Sequence, residues 1–239
     1  MKSLSSMLDI KKGDIVSIVG SGGKTTLMFR LANELKDKYK VLVTTSTKIY
    51  MPDKKYKIYS TVDSYIDSFN KLDNGITVIA KDVNIESNKL IGINDDDLDI
   101  LIKYFDIILI EADGSRGLPL KGWKEYEPVI LESSNKTIGV IPANIINKKI
   151  DADFVHNHDE FNILTDYSNN LDFEAIGQIC TRKNGLFKNS KENLYLFLNQ
   201  ADTEEDIKNS RELSVYLEEY NHNFKICWGS LKKEEYYEC

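Results

Sequence analysis

The chain has 239 residues, of which 41% are hydrophobic and 29% charged, enough apolar material for one sizeable α/β domain. A net charge of −7 excludes a nucleic-acid partner held by a general basic field and leaves room for a local phosphate site. Cys180, Cys227 and Cys239 form no Cys-x-x-Cys pair, residues 1–9 hold no apolar leader, and no run reaches ~18 apolar residues; the expectation is a cytoplasmic protein without disulfide framework, structural zinc or membrane contact.

The first predicted element is a strand over 15–19, a β-branched run that ends in Gly20-Ser21-Gly22-Gly23-Lys24-Thr25-Thr26. Leu27, Met28, Leu31, Ala32 and Leu35 then recur at helical spacing and predict a helix over 25–38. Strand, glycine turn and helix in that order build a phosphate cradle. Glycines let backbone N–H groups point at an anion, and the helix N-terminus adds partial positive charge. Lys24 has the reach for β/γ-phosphate oxygens, and the Thr25 hydroxyl suits Mg²⁺. Gly20, Ser21, Gly22, Gly23, Lys24, Thr25 and Thr26 are therefore the expected nucleotide-binding residues. The common spacing would put glycine at position 18, which is Ile18. The shorter Gly-x-x-Gly-Lys-Thr-Thr is similar to the P-loops of the Mur ligases.

A strand over 41–45 runs into Thr44-Thr45-Ser46-Thr47-Lys48. Thr47 and Lys48, at a strand's carboxyl end, are expected to contact phosphate or Mg²⁺, and Thr44 to be structural. A helix over 62–72, a strand over 76–80, a helix over 95–104 and a strand over 107–110 follow. The last ends in Glu111-Ala112-Asp113-Gly114-Ser115-Arg116-Gly117. An acid after an apolar strand holds Mg²⁺ or orients the attacking nucleophile in phosphoryl-transfer sites. Glu111 and Asp113 share a strand face if the strand persists, and the sequence does not rank them. Arg116 and Lys121 are expected to neutralise phosphate charge or bind an anionic substrate. Trp123 packs this loop or lines a pocket.

A strand over 137–141 precedes the least regular segment, 148–193, read as helices capping the site's edge. A strand over 194–198, a helix over 203–220 and a strand over 224–228 complete the chain. Leu198-Asn199-Gln200-Ala201-Asp202 resembles the Asn-Lys-x-Asp element by which many GTPases read guanine, with Gln200 in place of lysine. Asp202 has two open roles, base recognition and capping of the following helix, with Thr203 the alternative cap, and Asn199 is expected to brace the loop. His156-Asn157-His158 reads as a polar loop more than a metal site, His222 as a surface residue, and Cys180 as a small buried hydrophobe. The alternation predicts one α/β domain over 1–239, a mostly parallel sheet flanked by helices, P-loop NTPase-like.

The glycine loop, Thr44-Thr45-Ser46-Thr47-Lys48-Ile49, the run from Glu111 through Gly122 and Leu198-Asn199-Gln200-Ala201-Asp202 together resemble the YqeC-type selenium-dependent hydroxylase accessory proteins. The resemblance runs from position 13 to position 202 and includes Gly185-Leu186-Phe187-Lys188; Ser46 stands where the family is expected to carry threonine. It implies a bacterial cytosolic protein that works with selenium-dependent molybdenum hydroxylases or their maturation proteins. The implied role is maturation or insertion of a selenium-containing cofactor.

The expected activity is Mg²⁺-dependent hydrolysis of ATP or GTP. Lys24, Glu111, Asp113 and Arg116 are the expected catalytic residues, and Thr25, Glu111 and Asp113 the expected metal ligands. Thr47, Lys48, Asn199 and Asp202 are expected to add to the nucleotide contacts. Two other readings stand beside this one. One is a Mur-like phosphoryl-transfer or ligase-type enzyme; the other is a docking module that uses nucleotide as a switch without significant turnover.

Overall fold

Strand and helix alternate along most of the computed structural model, which describes residues 2–52, 56–68, 74–220 and 222–238. A one-turn helix α1 (Leu4–Met7) leads into β1 (Ile15–Gly20), α2 (Lys24–Leu35) and β2 (Lys40–Thr45). Next come β3 (Lys48–Tyr50), β4 (Lys57–Tyr59), α3 (Val62–Asp67), β5 (Gly75–Ile79), β6 (Asp82–Asn84), β7 (Lys89–Ile91) and α4 (Asp95–Leu101). The second half holds β8 (Ile107–Glu111), β9 (Leu120–Lys121), β10 (Lys136–Pro142), β11 (Val155–His156), α5 (His158–Leu164) and α6 (Phe173–Thr181). It closes with β12 (Leu194–Asn199), α7 (Glu204–Glu218), β13 (Phe224–Ser230) and β14 (Glu235–Glu238).

Nine strands form one sheet in the order β14-β13-β12-β10-β1-β8-β2-β5-β4. Every pairing in it is parallel except β13 with β14, which is antiparallel. The fold is thus α/β, a mixed sheet with helices on both faces. Buried strands need apolar residues on both sides, and β1 and β8 are buried throughout. Their side chains alternate between faces. Val16, Ile18, Ile107 and Leu109 pack with Leu27, Met28 and Leu31 of α2. Ile108 and Ile110 pack on the opposite face with Tyr65 of α3 and Leu98 and Leu101 of α4. Farther along, Leu196 and Leu198 pack with Phe161, Ile176, Leu213 and Leu217 of α5, α6 and α7.

The predicted strands recur within a residue or two of their ends, and helix lengths differ more. The helix predicted over 25–38 stops at Leu35, where the N–H groups of Lys38 and Tyr39 both return to the Leu35 carbonyl and turn the chain into β2. The helix predicted over 62–72 is seen as Val62–Asp67, and its last positions, 69–72, lie outside the described residues. Thr203 caps α7 through a reciprocal capping box with Asp206. The three-stranded sheet β3-β7-β6 and the antiparallel edge strand β14 have no counterpart in the sequence reading. Each is short, and such strands exist only because a neighbour pairs with them.

The β3-β7-β6 sheet is pinned at Gly92, whose N–H donates to the Thr47 carbonyl at 2.6 Å. A Cβ on Gly92 would lie 2.3 Å from the Ser46 carbonyl carbon and 2.4 Å from the Thr47 nitrogen. Backbone cannot yield as a side chain does, so Gly92→Ala is expected to destabilise by about 1–3 kcal/mol. Thermal unfolding checks this; an unchanged midpoint would show that the strands separate freely.

Candidate functional site

The parallel strands bring their carboxyl ends to one side of the sheet, where ligands bind in open α/β proteins. The register aligns Ile18 with Glu111, Thr45 with Glu111, Gly20 with Val140 and Pro142 with Asn199. The glycine loop, the threonine run, the acidic loop and the Asn-Gln element, separated by up to about 180 residues in sequence, therefore meet at one edge.

Side-chain and backbone bonds hold the glycine loop. The Gly20 N–H donates to both Asp113 carboxylate oxygens at 3.1 Å. Ser21 N–H donates to the Val140 carbonyl at 3.0 Å, and Ser21 Oγ donates to the Pro119 carbonyl at 2.7 Å. Asn199 Nδ2 and Gln200 Nε2 donate to the Gly22 carbonyl at 2.7 and 3.3 Å. Gly23 has φ +122° and a Cβ there would stand 2.4 Å from Asn199 Nδ2, so the loop needs glycine at this point.

Helix α2 starts immediately after this loop and differs from the other long helices. Gly23 gives it no side-chain cap, and its first turn carries no acid. By contrast, α4 begins with Asp95, Asp96 and Asp97 behind an Asn94 cap, and α7 with Glu204, Glu205 and Asp206 behind Thr203. The first N–H groups of a helix lack intrahelical partners, and at α2 they open on a cleft of about 1010 Å³.

A buried charge network underlies the loop. Lys24 Nζ lies 3.3 Å from Asp113 Oδ1 and 3.7 Å from Glu111 Oε1, and it donates to the Gly20 carbonyl at 2.6 Å. Asp113 also receives the Trp123 indole N–H at 2.8 Å and lies 3.1 Å from Lys121 Nζ. Lys121 in turn pairs with Glu127 at 3.3 Å and donates to the Gly114 carbonyl at 2.7 Å. Thr25 Oγ1 donates to Glu111 Oε2 at 2.6 Å.

The two acids are shifted in opposite directions because their partners differ. Burial pushes both carboxyls up. At Asp113 the Lys24 and Lys121 ammoniums, the Gly20 N–H and the Trp123 indole overcome that and hold it below the usual range. At Glu111 burial prevails over Lys24 and Thr25, and its carboxyl lies above the usual range. Burial lowers Lys24, but Asp113 and Glu111 outweigh it and its ammonium is held above its ordinary value. A raised carboxyl stabilises the fold fully below the ordinary glutamate range and loses that contribution as pH rises through its own value. Glu111→Gln is therefore expected to gain stability relative to the wild type as pH rises above the ordinary glutamate value of 4.5. Melting curves from that value upward measure the difference; a gap that stays constant would refute the assignment.

The cleft unites most of the residues singled out from sequence. Gly22, Gly23, Lys24, Thr25, Thr26, Thr47, Lys48, Glu111 and Arg116 line it. Gly20, Ser21 and Asp113 lie beneath it as support. Two expectations change. Lys121 is buried and committed to Asp113, Glu127 and Gly114, so it faces no ligand. Asn199 is buried, with its amide on Gly22 and its Oδ1 accepting the Leu231 N–H at 3.3 Å; it braces the loop rather than lining the cleft. Asp202 stands apart: its carbonyl accepts from Lys233 at 2.6 Å, and its buried Oδ1 has no hydrogen-bond partner.

Of the segment 148–193, His156 reaches the cleft wall, while α5 and α6 pack into the core. His156 is half-buried, and burial together with the Lys121 charge lowers its pKa. Among the described residues no group of three or more His, Cys, Asp or Glu is arranged to hold a metal ion. His222 stacks on Phe224 with centroids 4.1 Å apart and is half-buried rather than a free surface group. Cys180 is buried, which pushes its thiol up and leaves it inert. Thr44 donates to the Ile79 carbonyl at 2.7 Å, a structural bond. Glu127, Tyr50, Lys89 and Tyr126 belong to the cleft lining without any signal in the sequence, since none stands in a motif, and Gln200 of the Asn-Gln element lines it too.

Among the described residues no helix is long and apolar enough to cross a membrane. No solved structure matches the chain significantly. The profile of the YqeC protein family matches residues 16–159, the part that holds the glycine loop, the threonine run and the acidic loop. A relative described as "Uncharacterized protein YqeC" from Escherichia coli strain K12 is 32% identical over 184 residues, covering 75% of this chain and 72% of the relative. A profile that takes in more than half of the chain and a relative matched over most of its length make this protein a member of the YqeC protein family.

Proposed function

We propose that the protein binds Mg²⁺ with ATP or GTP in this cleft and hydrolyses the nucleotide, as a P-loop NTPase-like accessory protein. The observation that carries this reading is the uncapped, acid-free N-terminus of α2 opening on the cleft beside Lys24 and the Thr25–Glu111 pair. An uncapped helix N-terminus favours an external anion, and Lys24 adds a full positive charge. The N–H groups of the loop and the first turn of α2 would bind phosphate oxygens, and Lys24 would neutralise the terminal phosphates.

A hydroxyl and a carboxylate side by side at the cleft, joined by a hydrogen bond that a cation would replace, are the oxygen donors a hard cation such as Mg²⁺ takes. Thr25 and Glu111 would hold it; Asp113, fully engaged by Gly20, Lys24, Lys121 and Trp123, would position Lys24 instead. The cation supplies charge neutralisation on the phosphates. Arg116, exposed at the cleft, would stabilise charge on the transferred group. Asp202 lines neither the cleft nor the groove beside α2 and is given no part in this reading.

The role in maturing a selenium-containing cofactor of molybdenum hydroxylases is proposed from the motif resemblance alone. A phosphoryl-transfer or ligase-type reaction is the second reading, favoured by a cleft at the top of the size range of single-ligand sites. Calorimetric titration with Mg·ATP and Mg·GTP tests the nucleotide reading. Binding to one of them identifies the base; heatless titration with both would overturn the proposal.

A further inference from the structure

The cleft is larger and more cationic than a nucleotide needs. In a chain of net charge −7, its walls carry Lys24, Lys48, Lys89 and Arg116 against Glu111 and Glu127. Both carboxylates are spoken for, Glu111 by Thr25 and Lys24 and Glu127 by Lys121 and the Asn157 amide at 2.8 Å. Lys48 and Arg116 are exposed and have no carboxylate partner among the described residues. They come from different elements of the same lining, Lys48 from β3 and Arg116 from the acidic loop.

Two large aromatic rings accompany these cations. Tyr50 is 64% exposed and Tyr126 69% exposed, and both line the same cleft. Lys89 Nζ sits 4.8 Å from the Tyr50 ring centroid, so that ring is held by a cation–π contact. Exposed rings of this size on a cleft wall mark ligand-binding surface more than core.

A second groove indicates where a nucleotide would leave this outer space free. It holds about 560 Å³ beside α2 and is lined by Phe29, Arg30 and Leu231, and it shares Thr25 and Thr26 with the main cleft. The two spaces therefore flank the same first turn of α2. A triphosphate on the glycine loop would have this side groove next to it for its nucleoside.

We propose that the outer half of the main cleft, between β3 and the acidic loop, is the subsite for a second substrate: a small planar ring bearing a carboxylate or phosphate. Lys48 and Arg116 take its oxyanion, and Tyr50 and Tyr126 take its ring face. The inference rests on the nucleotide reading for its place in a reaction, but its binding chemistry does not. Charge-assisted bonds to an oxyanion and stacking on a ring are separable contributions.

The test titrates the full-length protein with phenyl phosphate and benzoate, with inorganic phosphate and cyclohexanecarboxylate as counterparts lacking the aromatic ring. At least one aromatic oxyanion is expected to bind at least tenfold more tightly than its counterpart, and the tighter of the two identifies phosphate or carboxylate. A Lys48→Gln/Arg116→Gln double variant, altered only at exposed positions, is expected to bind it at least tenfold more weakly while keeping its melting midpoint. Saturating Mg·nucleotide is expected not to displace it. Equal binding of the counterparts, indifference to the double variant, or displacement by nucleotide overturns the subsite and leaves the nucleotide reading intact. If no nucleotide binds while the aromatic oxyanion keeps its dependence on Lys48 and Arg116, the nucleotide reading fails and the subsite stands.

Discussion

Replacing Asp113 by alanine is expected to lower the protein's stability by about 3–5 kcal/mol, the usual cost of removing one partner from a buried ion pair. Asp113 is fully buried and accepts from the Gly20 N–H and the Trp123 indole, while two ammoniums, Lys24 and Lys121, stand 3.3 and 3.1 Å away. Its loss leaves Lys24 with Glu111 and Lys121 with Glu127 as remaining partners, and leaves two buried N–H donors unmet. For a chain of this size the melting midpoint should fall by roughly 10 °C. The acid dependence sharpens the test. A carboxyl held below its ordinary value of 3.8 contributes stability that is present above that value and lost as pH falls through the lowered one. Asp113→Asn should therefore lose the part of the wild-type acid transition that lies below pH 3.8. A midpoint within a degree or two of wild type, with the same acid limb, would mean that the network contributes nothing net to the fold.

Lys24→Ala is expected to weaken Mg·nucleotide binding by at least about 100-fold, close to 3 kcal/mol. Lys24 is the one buried cation among the cleft-lining residues, and it stands at the first position of α2 beside the uncapped loop. The variant keeps Asp113 bonded to Gly20, Lys121 and Trp123, so the loop retains most of its support. Lys24→Ala also removes one partner of the buried pair and is expected to lower the midpoint, so its affinity is read at a temperature where the variant is folded, whereas Asp113→Ala is read on the fold alone. Calorimetry on the variant, after its midpoint has been checked, gives the answer. Undiminished affinity would remove Lys24 from the binding site and with it the reading of the glycine loop as a phosphate cradle.

Much of the architecture was legible in the sequence, because it depends on local chemistry. The apolar runs that became β1, β2, β8, β10 and β12 can be buried on both faces wherever they lie. The Leu27–Leu35 periodicity can form only one apolar stripe, and the glycines at 20, 22 and 23 have positive φ angles that other residues resist. The polar start of α7 was legible in the same way, with Asp202 and Thr203 as alternative caps, and the structure gives the role to Thr203 with Asp206.

What sequence could not rank, tertiary structure did. Glu111 and Asp113 look interchangeable as two acids after one strand, yet only the folded chain brings Lys121, Trp123 and Gly20 onto Asp113 and leaves Glu111 to Thr25. Lys121 and Arg116 look alike as basic residues of one loop, but one is buried in an ion-pair network and the other is exposed at the cleft. Asn199 reads as a brace for its own loop, and only the sheet register shows that the loop it braces is the glycine loop, through Gly22. Tyr50, Lys89 and Tyr126 carry no motif and meet only because β3 pairs with β7 while the acidic loop joins the same lining. Periodicity and turn chemistry are set by neighbours along the chain, and so the sequence alone determined the α/β alternation and the glycine loop. Charge state and ligand access depend on which distant groups share a low-dielectric space, and that was decided by the packing of the sheet.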